Sequence, residues 1–135
     1  MPEWHKARLA NANKIWDATK QLPGLRVPEV PADIIHAAYK CYVFVEPTQL
    51  KDGWDRDRIM NEISARGVPA FSGSCSEVYL EKAFDNTPYR PKESLPIAKE
   101  LGETSLMFLV HPTLSDAEID KTIAILTEVM QEATA

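Results

Sequence analysis

The first third of the chain alternates between a helical and a strand-like pattern of apolar residues. Over residues 1–20 the apolar side chains recur every three or four positions, which predicts an amphipathic helix that ends before Pro23. The proline-rich residues 22–31 predict an extended connector, because the residue before each proline is steered away from helix. Residues 36–46 carry aromatic and β-branched side chains on both faces and end at Pro47. This pattern predicts a strand in the centre of its sheet.

The rest of the chain predicts two further strands and three more helices, of which the first lies between residues 56 and 66. Asp55 is placed to cap a helix over residues 56–66, and Gly67 is placed to end it. Residues 68–71 form a short apolar run, and residues 104–110 form a longer one, so each predicts a strand.

Two serines are placed to start the last two helices. Ser94 precedes a short helical segment, for which Gly102 is the predicted stop. Ser115, with Glu118 three residues later, has the spacing of a capping box at the start of a terminal helix over residues 116–132.

This order of elements predicts an α+β fold. We expect a single domain over residues 1–135, built as a two-layer sandwich in which helices cover a small, mainly antiparallel sheet of about three strands. A chain of this size can bury a core without disulfides or a structural metal. Cys41 and Cys75 lack the spacing of a metal or redox motif, so we expect two reduced thiols, although a disulfide between them stays open.

Charge and hydropathy exclude several classes of partner. The formal net charge is −5, from 15 basic and 20 acidic residues without long blocks of one sign. This balance argues against binding to nucleic acid or to an anionic membrane surface. The sequence has no signal peptide and no long apolar run, which predicts a soluble, cytoplasmic protein.

The sequence contains no self-sufficient catalytic motif. GxSxG, HExxH, P-loop and GxGxxG patterns are all missing, and no nucleophile has an obvious base beside it. The three histidines are too scattered along the sequence to predict a metal site. We therefore predict no catalytic and no metal-ligating residue in this chain.

A series of short motifs nevertheless occurs in a recognisable order. The motifs are Arg-Leu-Ala-Asn-Ala at residues 8–12, His36-x-x-Tyr39-x-x-Tyr42, a helix ending in Gly67-Val68, Leu-Pro-Ile-Ala at residues 95–98, and a strand, His-Pro turn and helix over residues 102–119. With this order and spacing the chain resembles the C-terminal small domain of the DegT/DnrJ/StrS sugar aminotransferases, which are pyridoxal-phosphate (PLP) enzymes of fold type I.

The resemblance implies a larger enzyme. In that family a large N-terminal domain holds PLP on a lysine within a Ser-x-x-x-x-Lys pattern, and no lysine of this chain has that setting. The whole enzyme would move an amino group from an amino acid, commonly glutamate, to a nucleotide-linked keto sugar for polysaccharide or amino-sugar biosynthesis. The partners implied are the large PLP-binding domain, the nucleotide sugar and a second copy in a homodimer. The resemblance leaves open whether the enzyme is an aminotransferase or a related dehydratase, which sugar it acts on and which amino acid is the donor. This chain alone is expected to be inactive.

The loop over residues 71–81 is the best candidate for substrate binding. The family usually has a tyrosine-rich loop here, with a histidine that closes over the nucleotide sugar, and Tyr79 falls roughly where that histidine stands. Ser72, Ser74 and Ser76 provide hydroxyl groups on a glycine-hinged loop, which suits a diphosphate or sugar hydroxyls. The alternative is an ordinary turn in which Ser74 or Ser76 caps a short helix.

Three further residues are candidates for substrate contact. His36 could approach substrate from the start of its strand, or simply bond to backbone there. Tyr39 could line a domain interface, although an aromatic residue on a central strand more often belongs to the core. Arg90 could meet a phosphate, or remain a solvated charge.

A second function class stays open beside the aminotransferase domain. The same fold could serve as a stand-alone interaction or regulatory module without chemistry. An exposed apolar patch around the first helix favours the aminotransferase domain, because an interface that lacks its partner leaves apolar residues in water. We expect Trp4 and Trp16 to form part of such a patch.

Overall fold

The structure, a computed structural model, describes residues 1–134 and confirms the α+β class. Four helices and a four-stranded antiparallel sheet form the described part of the chain. The elements are α1 (Pro2–Thr19), β1 (Leu25–Arg26), β2 (Cys41–Val45), α2 (Arg56–Ala65), β3 (Ala70–Phe71), α3 (Pro96–Thr104), β4 (Ser105–Phe108) and α4 (Asp116–Ala133). Short 3₁₀ turns lie at Pro47–Gln49, Val78–Leu80 and Lys82–Phe84.

The strands follow the order β1-β2-β4-β3, and each neighbouring pair is antiparallel. The central position predicted for the strand around Tyr42 is therefore confirmed, because β2 pairs with β1 on one side and β4 on the other. Cys41, Val43 and Val45 are buried together with residues of α1, α2 and α4, whereas Tyr42 and Phe44 alternate onto the opposite face. The outer face of β2 is thus free to contribute to a site.

Two predicted strands are shorter than their apolar runs. The strand predicted over 36–46 begins only at Cys41, because Ala38 adopts a left-handed backbone with φ +47 that breaks the extended path. The strand predicted over 104–110 covers Ser105–Phe108, since Cys41 pairs with Phe108 and β2 offers no partner further on.

The edges of the sheet also differ from the prediction. Only Ala70–Phe71 of the run 68–71 pairs with β4. The expected count of about three strands becomes four, because Leu25–Arg26 pairs with β2 inside the connector predicted to be only extended. Arg26 also lies over the ring of Phe44, 4.4 Å from its centroid.

The helix caps follow the prediction at two of three sites. The Asp55 side chain accepts a hydrogen bond of 2.7 Å from the amide of Arg58, and Ser115 and Glu118 form the capping box. Ser94 does not cap α3, because its hydroxyl bonds to the Glu77 carboxylate instead.

Gly102 lies inside α3 and does not end it. A Cβ atom at this position would overlap the hydroxyl of Ser76. The glycine therefore lets the loop before the 3₁₀ turns approach the helix.

No helix within residues 1–134 is both long enough and apolar enough to cross a membrane. In the same described range no cluster of histidine, cysteine or acidic side chains has the arrangement of a metal site.

The two cysteines are free thiols with opposite environments. Cys41 is buried in the core, and burial raises the pKa of its thiol to about 12, whereas Cys75 is exposed. Because the thiolate is the reacting form, iodoacetamide at neutral pH is expected to modify Cys75 and to spare Cys41 in the folded chain. Intact-mass analysis with and without denaturant checks this, with Cys75→Ser as the control. Equal labelling of both thiols before denaturation would contradict the burial of Cys41.

Candidate functional site

An open groove lies on the outer side of the sheet, between the segment that precedes β2 and the loop that follows β3. Its volume is about 340 Å³, and its lining includes His36, Tyr39, Lys40, Tyr42 and Ser74. The phenol oxygen of Tyr42 lies 3.3 Å from the hydroxyl of Ser74, which joins the two walls. The groove therefore offers hydroxyl groups, an imidazole and one ammonium group.

The wall that precedes β2 has an unusual backbone. Ala38 is buried and has φ +47, a conformation that is strained for a residue with a Cβ atom. Its amide donates to Nδ1 of His36 over 3.1 Å, so Nδ1 is the accepting nitrogen of the ring. The imidazole thereby holds the turn.

Helix α1 supports this wall from the core side. The indole N–H of Trp16 donates to the carbonyl oxygen of Tyr42 over 2.9 Å, and the Trp16 ring meets the His36 ring edge-on at 5.5 Å. Nε2 of His5 lies 2.8 Å from the carbonyl oxygen of His36. Three separate contacts thus tie the groove to the first helix.

The opposite wall is shaped by a glycine. Gly73 has φ +90, and a Cβ atom there would lie 2.6 Å from Cε1 of Tyr42. Only glycine lets the loop pass this close to the ring. The carbonyl of Ser72 accepts a 2.7 Å bond from the hydroxyl of Ser105, which fastens the loop to β4.

A second, smaller cavity adjoins the groove on the other side of Tyr42. It measures about 260 Å³ and is lined by Tyr42, Phe44, Ser74, Cys75, Ser76, Leu101 and Ser105. Tyr42 and Ser74 belong to both cavities and divide them.

Tyr79 is buried and lies at the centre of a hydrogen-bond network. Its hydroxyl donates to the carboxylate of Glu77 over 2.6 Å and accepts from the amide of Leu95 over 2.9 Å. The hydroxyl of Ser94 donates to the same carboxylate over 2.8 Å. The bonds from Tyr79 and Ser94 lower the pKa of Glu77. The network joins the loop to the start of α3.

We expect Tyr79→Phe to destabilise the chain by about 1–2 kcal/mol, because the amide of Leu95 loses its acceptor. The lowered pKa of Glu77 stabilises the fold at pH values above the ordinary pKa of a glutamate, and this stabilisation is lost as the pH falls and the carboxylate is protonated. Because Tyr79→Phe removes the main cause of the lowered pKa, the variant is expected to lose less stability than the wild type on acidification. Urea unfolding at pH 7 and pH 4 checks both effects. Tyr89→Phe, at an exposed tyrosine, is the control, and equal behaviour of the two variants would contradict the network.

The structure brings some predicted site residues together and separates others. His36, Tyr39 and Ser74 line the groove, and Ser76 lines the adjoining cavity. Ser72, Tyr79 and Arg90 line neither of them. Arg90 forms an ion pair with Asp85 and bonds to the carbonyl of Leu80.

Lys40 is a groove residue that the sequence analysis did not single out. It is half-buried and forms no ion pair with the residues that the structure describes. The available signal was its position as the one cation between Tyr39 and Tyr42 in an otherwise uncharged segment.

The lysines of residues 1–134 do not fit a covalent bond to PLP. Such a lysine needs a lowered pKa, which requires burial or a neighbouring cation. Eight of the nine lysines are exposed, and Lys40 is half-buried. A hydrogen bond from Lys14 to Asp116 raises the pKa of Lys14.

Solved structures match almost the whole chain. The aminotransferase from Psychrobacter cryohalolentis is 50% identical, with a TM-score of 0.88 over 97% of this chain and 35% of that one. A DegT DnrJ EryC1 StrS aminotransferase from Brucella abortus is 26% identical, with a TM-score of 0.73 over 91% of this chain and 30% of that one. The PLP form of a putative sugar aminotransferase, Spr1654 from Streptococcus pneumoniae, shares the fold at 16% identity. Its TM-score is 0.75, and the match covers 97% of this chain and 32% of that one.

The fold and these matches define a small domain of the aminotransferase type. The resemblance found in the sequence is confirmed, because the solved structures that match the chain are aminotransferases of the DegT/DnrJ/EryC1/StrS type. The chain spans about a third of the length of the solved structures that it matches. No protein-family model matches the chain, and no curated protein matches it either.

Proposed function

We propose that the chain is the small domain of a PLP-dependent enzyme that transfers an amino group from glutamate to a nucleotide-linked keto sugar. The observation that carries this proposal is the 50% identity to an aminotransferase over 97% of the chain. The product class is an amino sugar for polysaccharide or related biosynthesis, made in the cytoplasm. When bound, PLP supplies the electron sink of the reaction, and a larger N-terminal domain provides its lysine.

The groove is the part of this chain that we assign to the sugar nucleotide. Lys40 supplies a positive charge for a phosphate oxygen, and Tyr42 and Ser74 supply hydroxyl groups for the sugar. His36 completes the wall of the groove. A groove that presents hydroxyl groups and one cation without an ion pair among the described residues suits a ligand that carries both phosphate and hydroxyl groups.

The surface supports a role beside a larger domain. Trp4, on the first helix, is 59% exposed, and Ile35, which precedes the residue that His5 contacts, is 86% exposed, so exposed apolar side chains lie on and beside that helix. Tyr39, on the groove, is 75% exposed. Trp16 is not part of this patch, contrary to expectation, because it is buried against β2. We also assign the complete enzyme a homodimeric state.

A chimera tests the function and the role of the groove. In it, this chain replaces the matching third of the Psychrobacter aminotransferase. With glutamate as donor, we expect amination of nucleotide-linked keto sugars, measured by mass spectrometry. Lys40→Met is expected to raise KM for the sugar about tenfold with little change in kcat, since a phosphate contact acts mainly on binding. Lys6→Met, an exposed lysine on α1, is the control.

Two results would count against the assignment. Equal KM values for the Lys40 and Lys6 variants would remove the groove from sugar-nucleotide binding. Amination of keto acids alone, without any nucleotide sugar as acceptor, would contradict the proposed substrate class.

A further inference from the structure

One arginine of α1 lacks a partner in its half-buried position. The Nε atom of Arg8 is shielded from solvent and has no hydrogen-bond partner among the described residues. Within residues 1–134 its guanidinium forms no ion pair with any acidic side chain. A shielded cationic donor without an acceptor is costly, so such groups are normally paired.

The position of Arg8 is fixed by contacts on both sides along the helix. His5, three residues earlier, lies against the carbonyl oxygen of His36 at 2.8 Å. Asn11, three residues later, donates to the carbonyl oxygen of His111 over 3.3 Å. Residues three apart share one helix face, so Arg8 stands between two anchored neighbours. Arg8 therefore lacks a partner in a part of the helix whose position is fixed by hydrogen bonds.

Exposed apolar side chains occur on and beside this part of the helix. Trp4 lies one helical turn before Arg8 and is 59% exposed. Ile35 precedes the residue that His5 contacts, and it is 86% exposed. We call Trp4, Arg8 and Ile35 the Arg8 surface. An aromatic residue and an arginine with a shielded Nε atom are typical of protein interfaces.

We propose that the Arg8 surface docks against the larger domain of the enzyme, and that Arg8 pairs there with an aspartate or glutamate carboxylate of that domain. The inference rests on the proposed function, because it takes its partner from the two thirds of the matching structures that this chain does not span. A carboxylate satisfies the guanidinium in a bidentate manner. The apolar rim excludes water around the pair and strengthens it.

The test compares the same substitution in two settings, the chain alone and the chimera with the Psychrobacter aminotransferase. In the chain alone, Arg8→Met is expected to leave the thermal midpoint unchanged or to raise it, because it removes an unpaired cation. In the chimera the same change is expected to lower the midpoint by about 5 °C, because the opposing carboxylate loses its partner. Lys6→Met is the matched control and is expected to leave both midpoints unchanged. Arg8→Lys is expected to fall between wild type and Arg8→Met.

The outcomes separate this inference from the proposed function. If the chimera unfolds as one unit and Arg8→Met acts alike in both settings, the Arg8 inference fails while the proposed function stands. If the chain and the rest of the chimera unfold independently, the Arg8 inference fails, and the proposed function is judged separately by transamination in the same chimera. Concentration-dependent dimerisation of the chain alone, abolished by Arg8→Met in analytical ultracentrifugation, would replace the larger domain by a second copy and overturn the proposal.

Discussion

Replacing Trp16 with alanine is expected to lower the free energy of unfolding by about 4 kcal/mol. Trp16 is 5% exposed and lies in the core between α1 and β2. Its removal opens a cavity, breaks the 2.9 Å bond to the carbonyl of Tyr42 and removes the edge-on contact with His36. Few substitutions in this chain combine so many losses.

Two matched variants divide this loss into its parts. Trp16→Phe keeps most of the volume but leaves the Tyr42 carbonyl without its donor, which is expected to cost about 1–2 kcal/mol. Trp4→Ala changes an exposed tryptophan on the same helix and is expected to cost below about 0.5 kcal/mol. Guanidinium unfolding followed by circular dichroism measures all three. Equal losses for the Trp4 and Trp16 variants would contradict the packing of α1.

Replacing Gly24 with alanine is expected to cost about 3 kcal/mol, of which about 1 kcal/mol is backbone strain and the rest is steric overlap. Gly24 has φ +76, which is unfavourable for a residue with a Cβ atom. The new methyl group would also lie 2.7 Å from Cγ2 of Thr134 and 3.0 Å from Cε of Met130, both buried at the end of α4. The connector and the last helix pack too closely there to admit it.

Gly53→Ala is the control for Gly24→Ala. Gly53 has nearly the same backbone, φ +79, but the nearest atom to its added Cβ is on the Arg58 side chain, at an ordinary 3.7 Å. Only the backbone cost of about 1 kcal/mol is expected there. The difference in urea midpoint between the two variants therefore measures the packing. A Gly53 variant as unstable as the Gly24 variant would show that backbone strain alone explains both.

Local signals predicted most of the helices, because those signals lie within a few residues of each other. Asp55 and Ser115 start their helices as predicted, and Gly67 follows α2 in a left-handed conformation. The failures arose where a distant contact decides the structure. Ser94 bonds to Glu77, and the contact with Ser76 explains the glycine at position 102. Neither partner is near in the sequence.

The strands were harder to predict because their ends depend on pairing. The apolar run 36–46 does not reveal the turn at Ala38, so the strand was predicted too long. The pair Leu25–Arg26 joins the sheet only because β2 lies beside it. The proline and glycine residues around Leu25–Arg26 favour a connector in sequence-based prediction, so the pairing with β2 was not predicted.

The candidate site was partly predictable. His36, Tyr39 and Ser74 carry chemistry that the sequence shows, and the fold gathers them at one groove. Tyr79 has equally suggestive chemistry, yet the fold uses its hydroxyl to hold Leu95 and Glu77. Lys40 was missed because its signal, a single cation between Tyr39 and Tyr42, forms no motif whose spacing points to a site.

Transamination by the chimera is the most direct test of the central claim that this chain serves as an aminotransferase small domain. Carrying this chain in place of the matching third, the PLP-loaded Psychrobacter enzyme is expected to keep kcat/KM within about tenfold of its own value. The chain alone is expected to give no turnover. A chimera that folds, binds PLP and still shows no transamination would contradict the claim.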